Sequence, residues 1–220
     1  MNKPTLITHL TQDIDALGQR PSTQAVRRLS AQWYRQLEDK TPTHVFPLCE
    51  ALLKTRRRAQ GIIAYDWAYR VRRHYSKNTF DMFERWLKAY VEDWHDCDDF
   101  CTHALGDLIA RYPSLFERVI TWCTNTRFPV RRAAAVVLVP AIKAGHRPPI
   151  NPYLIADRLM HDEHDLVQKG YGWMLKVLSI KDQEGVRHYL EKHVAHMPRT
   201  AFRYALEHVD AATRKQLMRL

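Results

Sequence analysis

Trp94 and Asp98 stand four residues apart in Trp94-His95-Asp96-Cys97-Asp98, a spacing that puts an indole and a carboxylate on one face of a helix. The stretch reads as a helix start, where free backbone N–H groups and the positive end of the dipole favour an ionised acid. On a basic surface that only bound phosphates, such an acid would repel them. It serves better where positive charge develops, as when a glycosidic bond breaks through an oxocarbenium-like state. A fixed carboxylate stabilises that state and orients or activates water. The alternative is that Asp96, Asp98 and Asp99 are first-turn acids that complement the dipole.

A ladder of positions surrounds Asp98. Val130-Arg131-Arg132-Ala133-Ala134-Ala135-Val136 aligns with Val167-Gln168-Lys169-Gly170-Tyr171-Gly172-Trp173, 37 residues on. Stepping back from Arg131-Arg132-Ala133 by the same interval reaches Trp94-His95-Asp96 and then Arg57-Arg58-Ala59. Gly61, Asp98, Ala135 and Gly172 are therefore evenly spaced, three small residues and one acid. Two helices and two turns fit this period, as in HEAT-like solenoids. In such a stack equivalent positions line one surface, which Arg58, Arg132 and Lys169, three residues before the small rungs, would share. Trp94 and Trp173 fall on neighbouring rungs of it. Exposed there, an indole would pack against sugar or base and attract a cationic base. Arg132 would hold a phosphate or fill the space left by a displaced nucleotide. Trp33, Trp67, Trp86 and Trp122 are expected in the core.

The elements that must position these residues are helical. Apolar periodicity predicts helices at 3–17 and 22–39, broken at Gly18 to Pro21, with Ser22 or Thr23 as a cap. A third opens at Thr41-Pro42-Thr43, and others follow at roughly 59–74, 79–91, 95–111 and 113–124. Pro113 and Pro129 suit first helical turns. A turn covers Gly145 to Pro152. Helices near 152–161, 165–179, 182–194, 198–208 and 210–219 complete the chain, and no strand is expected. The expected fold is all-α, a HEAT-like helical-repeat solenoid (an α-α superhelix) with a basic concave face. It forms one domain over 1–220, divergent in 1–42 and repetitive in 43–220.

The net charge of +10 over 220 residues implies a polyanionic partner. Anionic membrane is the competitor, but the basic residues spread over many helices rather than one amphipathic tail. No apolar run reaches eighteen residues and Met1 to Leu10 has no apolar core, so neither a membrane span nor a leader is expected and the location is read as cytoplasmic. Cys49, Cys97, Cys101 and Cys123 read as reduced core thiols. His95, Cys97, Cys101 and His103 form a cluster without CxxC pairs, and His161-Asp162-Glu163-His164 reads as a polar turn without zincin spacing. No metal and no cofactor are expected. Arg70, Arg72, Arg73 and His74 fit a phosphate contact and a solvated face equally well.

With these residues in hand, the chain resembles the AlkD-type DNA alkylation-repair glycosylases, which are HEAT-like helical proteins. The resemblance spans roughly residues 45–210 and rests on three blocks in order: Trp94, Asp98 and Gly106; Arg131-Arg132-Ala133-Ala134; and Gln168-Lys169-Gly170-Tyr171-Gly172-Trp173. It implies a monofunctional glycosylase of base-excision repair that releases cationic N3- or N7-alkylated purines from duplex DNA and leaves an abasic site. It places the catalytic Asp on Asp98, two DNA-facing Trp residues on Trp94 and Trp173, and the cleft Arg on Arg132. It implies action without a deep base pocket. A cationic alkylpurine is already a good leaving group, so no general acid is needed. Arg58, Arg131, Gln168 and Lys169 are the expected DNA contacts. His95 departs from the pattern, which often has Asp there. Two other readings stand beside the enzyme: a non-catalytic HEAT-like binder of branched or damaged DNA, and a protein–protein adaptor. Nothing in the sequence argues for a stable oligomer, so a monomer is expected.

Overall fold

The computed structural model describes residues 3–219. Met1, Asn2 and Leu220, at the ends of the span read as one domain and of the stretch read as leaderless, lie outside them. By its internal contacts the chain forms two compact units, residues 1–91 and 92–220. Among the described residues every regular element is a helix, and none is long and apolar enough to cross a membrane.

The first unit holds α1 (Lys3–Ala16), α2 (Thr23–Gln36), α3 (Pro42–Leu53), α4 (Arg58–Arg70) and α5 (Thr79–Tyr90). Ser22 caps α2: its hydroxyl accepts from the Ala25 N–H at 3.2 Å. Pro42 opens α3, where its missing N–H costs nothing. α4 is apolar nearly all round because α2 and α3 both pack on it. Its Trp67 is fully buried and donates from Nε1 to the Ser30 carbonyl of α2 at 3.2 Å. Phe46, Tyr75, Phe83 and Trp86 cluster mostly edge to face, with ring centroids 5.2–6.3 Å apart.

The second unit contains α6 (Trp94–Thr102), α7 (Ala104–Arg111), α8 (Phe116–Ile120), α9 (Phe128–Val136) and α10 (Val139–Lys143). α11 (Pro152–Leu159), α12 (Asp165–Ser179), α13 (Gln183–His193), α14 (Arg199–Ala205) and α15 (Ala211–Leu217) follow. α6 packs on α9, α9 on α12, and α12 on α14. α7 packs behind α6, α11 behind α9 and α12, and α13 behind α12. This is the stack of helical pairs that the repeat implied.

Four expected helices are broken. The 59–74 span ends as α4 at Arg70 and closes in a 3-10 turn over Arg72–His74. The 95–111 span divides at His103, whose φ of −121° and ψ of −97° are not helical. Its Nδ1 lies 2.9 Å from the Asp99 carbonyl, which the helix would otherwise use. The break brings Gly106 so close to the Cys101 carbonyl that a Cβ would lie 2.1 Å from it. The 113–124 span is a short α8 between two 3-10 turns. There the Thr121 and Thr124 hydroxyls donate back to the Arg118 and Thr121 carbonyls, competing with the helical pattern. The 198–208 helix tightens to a 3-10 turn after Ala205.

The ladder also needs correction. The helices that carry it begin at 58, 94, 128 and 165, steps of 36, 34 and 37 residues, so one period of 37 does not keep register. Ala135 and Gly172 are packing positions, not surface rungs. Ala135 is fully buried, and a Cβ on Gly172 would lie 2.7 Å from the Ala201 carbonyl of α14.

Candidate nucleic-acid cleft

The second unit has an open cleft of about 440 Å³ lined by Trp94, Asp98, Arg132, Leu166, Lys169, Trp173, Lys176 and Tyr204. The four residues expected to carry chemistry, Trp94, Asp98, Arg132 and Trp173, therefore share one surface. Trp33, Trp67, Trp86 and Trp122 are buried, whereas Trp94 is 39% exposed. Trp94 and Trp173 are two rungs apart and not on neighbouring rungs as the ladder had them: they stand on α6 and α12, with α9, which carries Arg132, between those helices.

The local sequence explains how Trp94 is placed. Asp93 caps α6, its Oδ1 accepting from the Trp94 N–H at 2.7 Å. Trp94 thus stands at the first helical position and Asp98 one turn later. Asp98 is beyond the first turn, so the helix end does not hold it, contrary to the sequence reading. Arg132 holds it instead. Arg132 Nε donates to Asp98 Oδ1 and Nη2 to Oδ2, both at 2.8 Å, a fork that fixes the carboxylate in position and plane.

Arg132 is buried, and its Nη1 donates to the Leu166 carbonyl at the start of α12. It is therefore not free to hold a phosphate or to fill a vacated nucleotide site. Burial works against the charge on Arg132, but the hydrogen bonds and charge of Asp98 outweigh it and raise its pKa. Glycine makes the room: a Cβ on Gly170 would stand 3.1 Å from Arg132 Cγ and 3.3 Å from Nη1. Gly170 thus belongs to the site through its missing side chain.

The remaining cations of the cleft are paired. Lys169 Nζ lies 2.6 Å from Asp165, which is itself 57% exposed, and Lys176 pairs with Glu207. Exposed pairs of this kind contribute little, so an incoming phosphate can replace the acid.

The other expected contacts lie elsewhere. Arg131 points its guanidinium at Asp162, with Nε at 2.5 Å and Nη2 at 3.3 Å, and donates from Nη1 to the Asn125 and Thr126 carbonyls. Gln168 donates to the Asp162 carbonyl at 2.9 Å. Both brace the turn before α12, where Phe128 also stacks on His164 at 3.9 Å. Arg58 is in the first unit, exposed, with its Nη2 donating to Thr23 at 2.9 Å.

Cys97 and Cys101 are buried behind Asp98 with sulfurs 4.0 Å apart, and burial raises the Cys101 thiol above its ordinary pKa, so it is an inert thiol there. All four cysteines are free and buried.

Sequence reasoning missed three lining residues. Lys176 follows Lys169 and Trp173 at helical spacing, a signal that was available. Leu166, through its carbonyl, and Tyr204 enter only through packing between α9, α12 and α14.

A family model described as DNA alkylation repair enzyme matches residues 5–209. The chain belongs to the DNA alkylation repair enzyme family. Solved structures agree in fold. AlkD2 from Streptococcus mutans superposes with a TM-score of 0.65 at 16% identity, covering 94% of this chain and 100% of that one. The structure of smu.31 from Streptococcus mutans UA159 gives 0.64 at 16% identity, covering 94% and 99%. A predicted DNA alkylation repair enzyme from Enterococcus faecalis gives 0.60 at 16% identity, covering 77% and 86%. No curated protein matches the chain. Within the family, then, this chain has the expected all-α, HEAT-like fold, and a carboxylate that shares a cleft with two indoles.

Proposed function

We propose that the protein is a monofunctional DNA glycosylase that hydrolyses the N-glycosidic bond of cationic N3- or N7-alkylated purines in duplex DNA. The observation that carries this reading is the Asp98 carboxylate, clamped at two 2.8 Å bonds by a buried arginine and open to a cleft lined by Trp94 and Trp173. Such a clamp suits a stationary charge better than a mobile base. Its cost of reorganisation is met in folding, before any substrate arrives.

In the reaction the C1′–N bond breaks and its electron pair returns to the cationic purine, which leaves neutral. The sugar becomes oxocarbenium-like and Asp98 stabilises it. A water oxygen then bonds to C1′, and the water's proton passes to solvent. Each oxygen of Asp98 accepts one bond from Arg132 and keeps lone-pair capacity for that water or for the developing charge. Trp94 and Trp173 supply apolar faces for the sugar and the cationic base. Lys169 and Lys176 exchange their acids for backbone phosphates. Asp98 is 21% exposed in an open cleft, which supports attack without a deep base pocket.

The test is release of free base from duplex DNA carrying N7-methylguanine. Release by the wild-type protein is expected. Tight binding of branched or damaged DNA with no release would favour the non-catalytic binder. Absence of any salt-dependent duplex binding would favour the adaptor.

A further inference from the structure

His95 stacks on Trp94. The imidazole and indole centroids are 3.6 Å apart with the planes 27° from parallel. His95 Nδ1 also lies 3.3 Å from Asp93 Oδ2, while Asp93 Oδ1 takes the Trp94 N–H. One carboxylate thus ties down both the indole's backbone and the ring that covers it. Trp94 lines the cleft and His95 does not, so the cleft receives the part of the indole that His95 leaves open.

An aromatic face attracts cations through its quadrupole, and a cation already seated on one face weakens that attraction for a second. Histidine is the side chain whose ordinary titration falls between about pH 5 and 8. Asp93 is set against His95 and Asp96 lies within electrostatic reach; both are acids.

We propose that His95 is a positioning residue that gates the cleft's preference for a cationic base through its stack on Trp94. Neutral, it fixes the indole plane and leaves the π-system free for the alkylpurine. Protonated, it occupies that π-system with its own charge, pairs with Asp93, and lowers discrimination between a cationic and a neutral base. This rests on the glycosylase reading for its substrate, but the stack itself is testable without DNA.

In the first arm, tryptophan emission of the intact protein is followed from pH 8 to 5 for wild type, His95→Phe and Trp94→Phe. An imidazolium quenches a stacked indole, so wild-type emission should fall on acidification. His95→Phe, which keeps a stacking ring without a charge, should stay flat, and so should Trp94→Phe. In the second arm, Asp98→Asn protein, with and without His95→Phe, is titrated with an N7-methylguanine duplex and its unmodified counterpart. The two proteins are compared at each pH, so the lesion's own protonation cancels. The lesion preference should fall about two- to fivefold between pH 8 and 6 where His95 is present, and stay constant in the protein that carries His95→Phe.

Identical emission curves for wild type and His95→Phe would overturn the gate, as would equal pH dependence of the lesion preference in both proteins. A ratio of one at every pH overturns it as well. Base release by the wild type remains the separate measure of the enzyme reading, and no result in the emission arm bears on it.

Discussion

Arg131 and Arg132 are neighbours in the sequence, and each grips an aspartate with two nitrogens, but the two pairs are built in opposite directions. In the Arg131–Asp162 pair the acid is the buried partner, at 7% exposure against 20% for the arginine. In the Arg132–Asp98 pair the arginine is buried at 6% and the acid is open at 21%. Asp162 is also used by its own chain, accepting from the His164 N–H at 2.9 Å. Arg131 spends its remaining nitrogen on carbonyls before α9. The first pair is a brace for the turns that start α9 and α12. The second presents a rigid negative group to a cleft. Identical chemistry becomes scaffold or site according to which partner faces solvent.

The largest expected contrast comes from removing each arginine. Arg132→Met leaves Asp98 unclamped beside an apolar replacement, and breaking a buried pair costs about 3–5 kcal/mol. Base release per folded molecule should fall by about 10²-fold, the scale of losing one preorganised electrostatic element. Arg131→Met should also destabilise the fold, because it strands the buried Asp162, while leaving base release per folded molecule within about twofold of wild type. Denaturant melts with single-turnover assays at saturating DNA separate the two effects. Equal losses of release would dissolve the distinction between the pairs.

A smaller effect is expected from Gly170→Ala. The new Cβ would press on Arg132 at 3.1–3.3 Å, closer than ordinary contact. Helix propensity gains about 1 kcal/mol from the same change. Stability should therefore hardly move while base release drops several-fold through displacement of the guanidinium. A melting curve and a release assay on the same sample check this, and unchanged release would mean that the clamp tolerates displacement.

The smallest effect concerns the paired lysines. Lys169→Gln and Lys176→Gln should each flatten the log–log dependence of duplex affinity on salt by about 1, with little change in the release rate at saturating DNA. Gln168→Ala, in the brace, should leave that slope unchanged.

Much of this arrangement was legible in the sequence, for physical reasons. Apolar periodicity located the helices, because a helix must bury one stripe. The two tryptophans on polar, repeat-related segments separated from the four in apolar periodic ones, and the structure has that division. What was not legible depends on contacts between helices distant in sequence. Arg132 looked like a phosphate ligand because nothing local shows that Gly170 opens a slot for it or that the Leu166 carbonyl awaits it. Asp98 looked like a helix-end acid because the cap, Asp93, sits one residue outside the motif. The even ladder misread Ala135 and Gly172 as surface, since small residues serve close packing as readily as exposure.

In the proposed reaction Asp98 acts through charge and not through shape. Asp98→Asn keeps the volume and its amide oxygen can still accept one bond from Arg132, but its NH2 meets the second donor, so stability should drop and release is compared per folded molecule. Single-turnover release of N7-methylguanine from duplex DNA, wild type against Asp98→Asn with Asp162→Asn as the matched control, measures this directly. Release by wild type is expected, with a loss of about 10²-fold or more in Asp98→Asn and near-wild-type release per folded molecule in Asp162→Asn. Full release by Asp98→Asn, or none by the wild type, would contradict it.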